Sequence, residues 1–253
     1  MVKRRRRRVL AAAAAALLAG CAPVTTDATT ETITVFAAAS LTDVVTDLSD
    51  AFGEVHPQVA VQHNFAGSQT LARQVVAGAD ADVVAFADTD SMTVVVDAGL
   101  VAEGPHPVAT NTMVIAVAAG NPRDITAVAD LADDRLLVVL PADSVPAGRY
   151  ARTVLDRAGV DVAPVSLEPH VRAALTKVAL GDADAALVYA TDIAAADDRV
   201  DGVPIDPAVN VEAEYPMAAL TSASRPDLAA GYVAFARSAV GREIFAAHGF
   251  GAP

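Results

Sequence analysis

The chain has 253 residues, is 53% hydrophobic and 4% aromatic, and carries 18 Lys and Arg against 31 Asp and Glu, a formal net charge of −13. That length fits one large domain or two small ones. The acidity argues against a nucleic-acid partner, because binding to a polyanion rests on clustered cations. With a single cysteine, Cys21, internal disulfides and thiolate metal clusters are excluded.

The first segment, "MVKRRRRRVLAAAAAALLAGC", has a basic head, an apolar run from Val9 to Ala19 and small residues before Cys21. Residues 1–20 read as an export signal, since a run of about 11 apolar residues is well short of the ~20 that span a bilayer. "LAGC" (18–21) resembles a lipobox, in which cleavage leaves the cysteine as an acylated N-terminus; the alternative is a simple secretory peptide with an incidental cysteine. Cleavage there removes six of the 18 basic residues and leaves 12 against 31 acidic ones, a net charge of about −19. Residues 21–31, polar and Thr-rich after Cys21, are expected to be a lipidated tether.

Strand-length apolar runs then alternate with helical patterns. "TITVFAA" (32–38) reads as a strand; Val44, Val45, Leu48, Ala51, Phe52 and Val55 follow helical spacing until Pro57. "VAVQHNF" (59–65) alternates as a strand, 69–77 is helical up to Gly78, "ADVVAFA" (81–87) is a strand, and the next helix stops at Gly99. "NTMVIAVAAGNP" (111–122) starts a second unit as a strand and turn. It continues through "LLVVL" (136–140), a helix near 148–158, a short strand around 162–167, the helix "VRAALTKVAL" (171–180) and the strand "AALVYA" (185–190). The segment 226–247 is helical and apolar on one side. No internal repeat is present. The order implies two α/β lobes with parallel sheets and flanking helices, the tail folding back on the first.

Two strand-to-helix joints carry serines: Ser40 in "TVFAAASLTDVVTDL" (34–48) and Ser68 in "FAGSQTLARQV" (65–75). In open α/β sheets ligands sit at such joints, where free N–H groups and the helix dipole favour anions without formal charge. The alternative is plain N-capping, for which "SLTD" (40–43) has the capping-box pattern. Ser68 lacks the matching acid.

Six stretches in order, "VFAAASL" (35–41), "FAGSQTLARQV" (65–75), "GADADVVAFAD" (78–88), "VPAGRYA" (145–151), "VRAAL" (171–175) and "ALVYATD" (186–192), resemble the molybdate-binding proteins of ABC importers across nearly the whole mature chain. The resemblance implies a two-lobed periplasmic-binding-protein fold of type II, each lobe a mainly parallel sheet flanked by helices. Lobe I would be 32–111 plus 215–253 and lobe II 112–214, with the ligand in the interlobe cleft. Carried over position by position, the family's ligand set is Ser40, Ser68, Ala147, Val171 and Tyr189: hydroxyls, helix-start amides and one phenol, all neutral donors. Such a cage selects a fully deprotonated tetrahedral dianion, because a protonated oxyanion would set O–H against N–H. One departure stands out: family members often have "ASSS" where this chain has "AGSQ" (66–69), so Gly67 and Gln69 are expected to alter the rim.

The resemblance implies molybdate or tungstate as ligand, no cofactor and no direct protein–metal ligands. It also implies a membrane permease of an ABC transporter as partner, no nucleic acid, a monomer, and export with lipid anchoring at the outer face of the cytoplasmic membrane. Rival readings are weaker. Neither serine sits in a G-x-S-x-G elbow, so a serine-dependent enzyme lacks its motif. His56, His63, His106, His170 and His248 show no metal-ligand spacing and read as surface or supporting residues. Iron(III) binding would need adjacent tyrosines, and Tyr150, Tyr189, Tyr215 and Tyr232 are all apart. Sulfate remains an alternative oxyanion.

Overall fold

The computed structural model describes residues 30–253; the expected export signal, Cys21 and most of the expected tether lie outside the described residues. In chain order the elements are β1 (Glu31–Ala38), α1 (Thr42–Val55), β2 (Val59–Ala66), α2 (Ser68–Val76), β3 (Val83–Ala85) and α3 (Thr89–Asp97). Next come β4 (Val101–Ala118), β5 (Val138–Pro141), α4 (Pro146–Ala158), β6 (Ser166–Glu168), α5 (Val171–Ala179), β7 (Ala185–Tyr189) and α6 (Ala190–Ala194). The chain then ends through β8 (Val200–Pro204), β9 (Glu212–Leu220), α7 (Pro226–Ala236) and α8 (Ala239–Ala247).

The strands run β2-β1-β3-β9-β4-β7-β5-β6, with β8 also paired to β4. Pairing is parallel, as expected, for β1 with β2 and β3 and for β5 with β6 and β7. It is antiparallel wherever β4 or β9 takes part, so the sheets are mixed rather than mainly parallel. The reason is connectivity: β4 carries the chain out of the first lobe and β9 carries it back. Up to Thr112, β4 pairs with β9; from Met113 on it pairs with β7 and β8. The strand expected to begin at Asn111 is thus the second half of an 18-residue strand.

Both faces of the first sheet are covered, which is why β1 and β3 are apolar at consecutive positions. Ile33, Val35 and Ala37 share a core with Val44, Leu48 and Phe52 of α1, while Phe36 and Val84 pack with Leu71 and Val75 of α2 and Met92 and Val95 of α3. Each such large apolar side chain contributes roughly 1.5–3 kcal/mol on burial. Val55, counted in the same stripe by spacing, is 60% exposed at the end of α1. The tail packs on the first lobe through contacts of α7 with β9 and of α8 with α1. It is two helices rather than one: Ser238 Oγ accepts from Gly241 N at 3.2 Å and starts a new helix. Strands β8 and β9 and the short α6 carry no clear periodicity and were not expected.

Candidate functional site

Ser40 lies in a single 3-10 turn, Ala39–Leu41, between β1 and α1, and Ser68 is the first residue of α2. Both are buried, and neither caps a helix: α1 and α2 have no side-chain capping bond, and the residues preceding them are Leu41 and Gly67. The capping-box reading of "SLTD" is therefore not realised, because the α-helix begins at Thr42, past the serine. Instead, Ser40 Oγ accepts from Tyr215 Oη at 3.2 Å, and Ser68 Oγ accepts from the Ala87 N–H at 3.0 Å. A hydroxyl that accepts from the protein keeps its own hydrogen to donate.

Across the cleft, Ala147 is at the second position of α4, after Pro146, and Val171 opens α5. N–H groups in the first turn of a helix have no intrahelical acceptor. The start of α4 is held against β5 by Gly148. A Cβ there would lie 2.0 Å from Ala142 O and 2.6 Å from Pro141 O, so only glycine allows the approach. Before α5, His170 Nδ1 accepts from Ala173 N at 3.2 Å and caps the helix. Burial lowers its pKa, favouring the neutral ring. Tyr189 ends β7 and is 1% exposed. Its N–H donates to Asp192 Oδ2 at 3.0 Å, but its phenol oxygen has no hydrogen-bond partner among the described residues. Burial raises that phenol well above its ordinary pKa, so it stays a neutral donor.

All five residues, Ser40, Ser68, Ala147, Val171 and Tyr189, line one slot between the lobes, with His170 beside them. Its volume is about 10 Å³, the scale of one water-sized sphere, too small for a sugar or peptide. Among the described residues no Lys, Arg, Asp or Glu lines it, and three helices aim their N-termini at it. Two arginines stand nearby, each held by carboxylates: Arg149 by Asp88, and Arg172 by Asp43 and Asp192 at 2.7 Å each. Burial outweighs the attraction of Arg172 and pushes the Asp192 carboxyl up to about 6. Among the described residues no group of three His, Cys, Asp or Glu could hold a metal ion, and no helix is long and apolar enough to cross a membrane. At the rim, Gln69 Nε2 donates to Pro169 O at 3.4 Å, from the first lobe to the second. A Cβ at position 67 would sit 2.6 Å from Gln69 Oε1, so Gly67 makes room for this side chain.

The sequence pattern of the bacterial extracellular solute-binding proteins matches residues 33–251. The chain belongs to that family. As a member of that family it is an extracytoplasmic solute-binding component. It is 44% identical over 221 residues to the molybdate-binding protein ModA of Mycobacterium tuberculosis, a match covering 87% of this chain and 85% of the relative. Two solved structures share the two-lobed type II fold at 20% identity, and at that level they speak to fold alone. The periplasmic molybdate-binding protein of Azotobacter vinelandii has a TM-score of 0.77, covering 87% of this chain and 99% of that one. The sulfate-binding protein SubI of Mycobacterium tuberculosis has a TM-score of 0.78, covering 87% and 86%.

Spacing alone does not reveal the residues that hold the solute-binding slot in shape. Asn111 Nδ2 donates to Thr191 Oγ1 at 2.8 Å and to Tyr215 Oη at 3.4 Å, linking α6, which follows Tyr189, to Ser40 through side chains 80 and more positions apart. Tyr215 stands in no motif, and its partner is met only when β9 returns beside β4.

Proposed function

We propose that this solute-binding protein captures molybdate, with tungstate as a second ligand, and passes it to an ABC transporter permease. The anion is held between lobe I (32–111 with 215–253) and lobe II (112–214) by the hydroxyls of Ser40 and Ser68, the amides of Ala147 and Val171, and the phenol of Tyr189. The observation that carries this reading is the buried, unpartnered Tyr189 oxygen beside four other neutral donors. A buried donor without an acceptor costs roughly 1–3 kcal/mol, and a tetrahedral dianion supplies the missing acceptor. An anion that touches both lobes favours their approach through its differential affinity. Further support comes from the relative named for molybdate at 44% identity. Sulfate is the second reading, because the neutral donors suit any fully deprotonated tetrahedral dianion; only its smaller size separates it.

Calorimetric titration with molybdate, tungstate, sulfate and phosphate tests the reading. Molybdate and tungstate are expected to bind tightly and phosphate, which carries a proton at neutral pH, not to bind. Sulfate binding as tightly as molybdate would replace the first reading by the second. Ser68→Ala removes one donor to a charged group, worth roughly 1.5–3 kcal/mol. It should therefore weaken molybdate binding about ten- to a hundredfold with little change in melting temperature. A helix-capping serine would instead lower stability by roughly 1 kcal/mol and leave affinity alone.

In this reading the protein acts as a monomer, exported and held by lipid on Cys21 at the outer face of the cytoplasmic membrane. Cys21→Ser should release it into the medium or leave the precursor uncleaved; unchanged membrane retention would rule the anchor out.

A further inference from the structure

Arg149 follows Ala147 by two positions on α4, and Arg172 follows Val171 by one on α5, so each cation rides on a helix whose N-terminus faces the slot. Neither lines it. Both turn instead toward lobe I. Arg149 Nη2 pairs with Asp88 and its Nε lies 3.5 Å from Asp90 Oδ2; Arg172 Nη2 lies 2.7 Å from Asp43 Oδ2. The lobe I ends of these pairs are joined to the donors. Asp88 directly follows Ala87, whose N–H holds Ser68, and Asp43 is in the first turn of α1, three residues from Ser40. On the lobe II side, Arg172 Nε holds Asp192 Oδ1 at 2.7 Å, and the other oxygen of that carboxylate takes the Tyr189 N–H.

We propose that Arg149 and Arg172 are positioning residues for anion capture: their ion pairs across the cleft, to Asp88 and Asp43, fasten the lobes on either side of the slot. The inference rests on the oxyanion reading above and extends it to residues outside the donor set. Separation of the lobes parts both pairs, so release of the anion must break them together with the anion's own hydrogen bonds. Each pairing also spends its arginine on a carboxylate, keeping a formal positive charge from reaching the anion and binding any anion indiscriminately. The two pairs are unequal. The Asp88 side chain is 3% exposed, whereas that of Asp43 is 45% exposed, and exposed pairs are screened and weak. Truncating a partner in a buried pair acts mainly on the dissociation rate.

The test is Asp88→Asn. Asn caps helices as well as Asp, so the bond from Ser91 N at 3.3 Å that starts α3 is kept while the charge is lost. Stopped-flow dissociation of molybdate should be at least tenfold faster than in the native protein, with the association rate changed less than threefold, whereas Asp43→Asn should speed release less than fivefold. Arg149→Gln, which also loses the exposed contact to Asp90, should release molybdate at least as fast as Asp88→Asn, and the double variant should be no faster than Arg149→Gln alone, since Asp88 acts through Arg149. Native release rates in Asp88→Asn, or effects of the two changes that multiply, would overturn the proposal. Calorimetry on the native protein separates this from failure of the oxyanion reading: no molybdate binding there would overturn that reading, whereas native affinity together with native release rates in Asp88→Asn would overturn the fastening role alone.

Discussion

Tyr189→Phe is expected to weaken molybdate binding about ten- to a hundredfold while raising the melting temperature of the free protein. The two effects share one cause. The phenol oxygen is buried without a hydrogen-bond partner among the described residues, and such a group costs roughly 1–3 kcal/mol. Phenylalanine removes that cost and keeps the edge-to-face packing on Tyr215 and Tyr150, at ring-centroid distances of 5.7 and 6.4 Å. For a chain of this size each kcal/mol is worth about 2–4 °C, so a rise of a few degrees is expected. In the complex the same oxygen donates to a dianion, a bond worth roughly 1.5–3 kcal/mol, which sets the loss in affinity. Calorimetry and thermal melts on one preparation read both. A lower melting temperature with native affinity would make Tyr189 an ordinary core residue.

Gly148→Ala should have the larger effect, reducing affinity more than about a hundredfold and lowering stability. The new Cβ would lie 2.0 Å from Ala142 O and 2.6 Å from Pro141 O, both backbone atoms that cannot rotate away. The start of α4 must then move off β5, carrying the Ala147 N–H with it. Overpacking of this kind costs roughly 1–3 kcal/mol, and a donor displaced by about an ångström no longer meets the position of the anion. Gly53→Ala is the control. It lies in α1 with nothing within 4 Å of its Cβ, so it should stabilise the helix by roughly 0.5–1 kcal/mol and leave binding unchanged. If Gly148→Ala bound molybdate as tightly as the control, the placement of Ala147 at the slot would be wrong.

The sequence by itself determined most of the elements of this protein. Helices such as 171–180 are legible because their buried face recurs every 3.6 residues, and strands such as 185–190 because both faces are covered and the apolar run is continuous. Helix ends at Gly159 and Gly181 are legible because both adopt positive φ, 66° and 78°, which glycine tolerates at little cost. Ser40 and Ser68 were legible because each stands at a strand-to-helix joint, whereas Ala147, Val171 and Tyr189 were reached only through the resemblance of their short motifs to the molybdate-binding proteins. Tertiary structure decided the rest. That Ser40 accepts from Tyr215 rather than capping α1, that Gln69 spans the rim, and that Arg149 and Arg172 meet Asp88 and Asp43 are facts about residues up to 175 positions apart in the chain. The antiparallel crossing of β4 and β9 brings them together. Local periodicity records which face of an element is buried, but not which distant element covers it. Charges and hydroxyls leave no periodic trace, because a single partner satisfies each one wherever the fold supplies it.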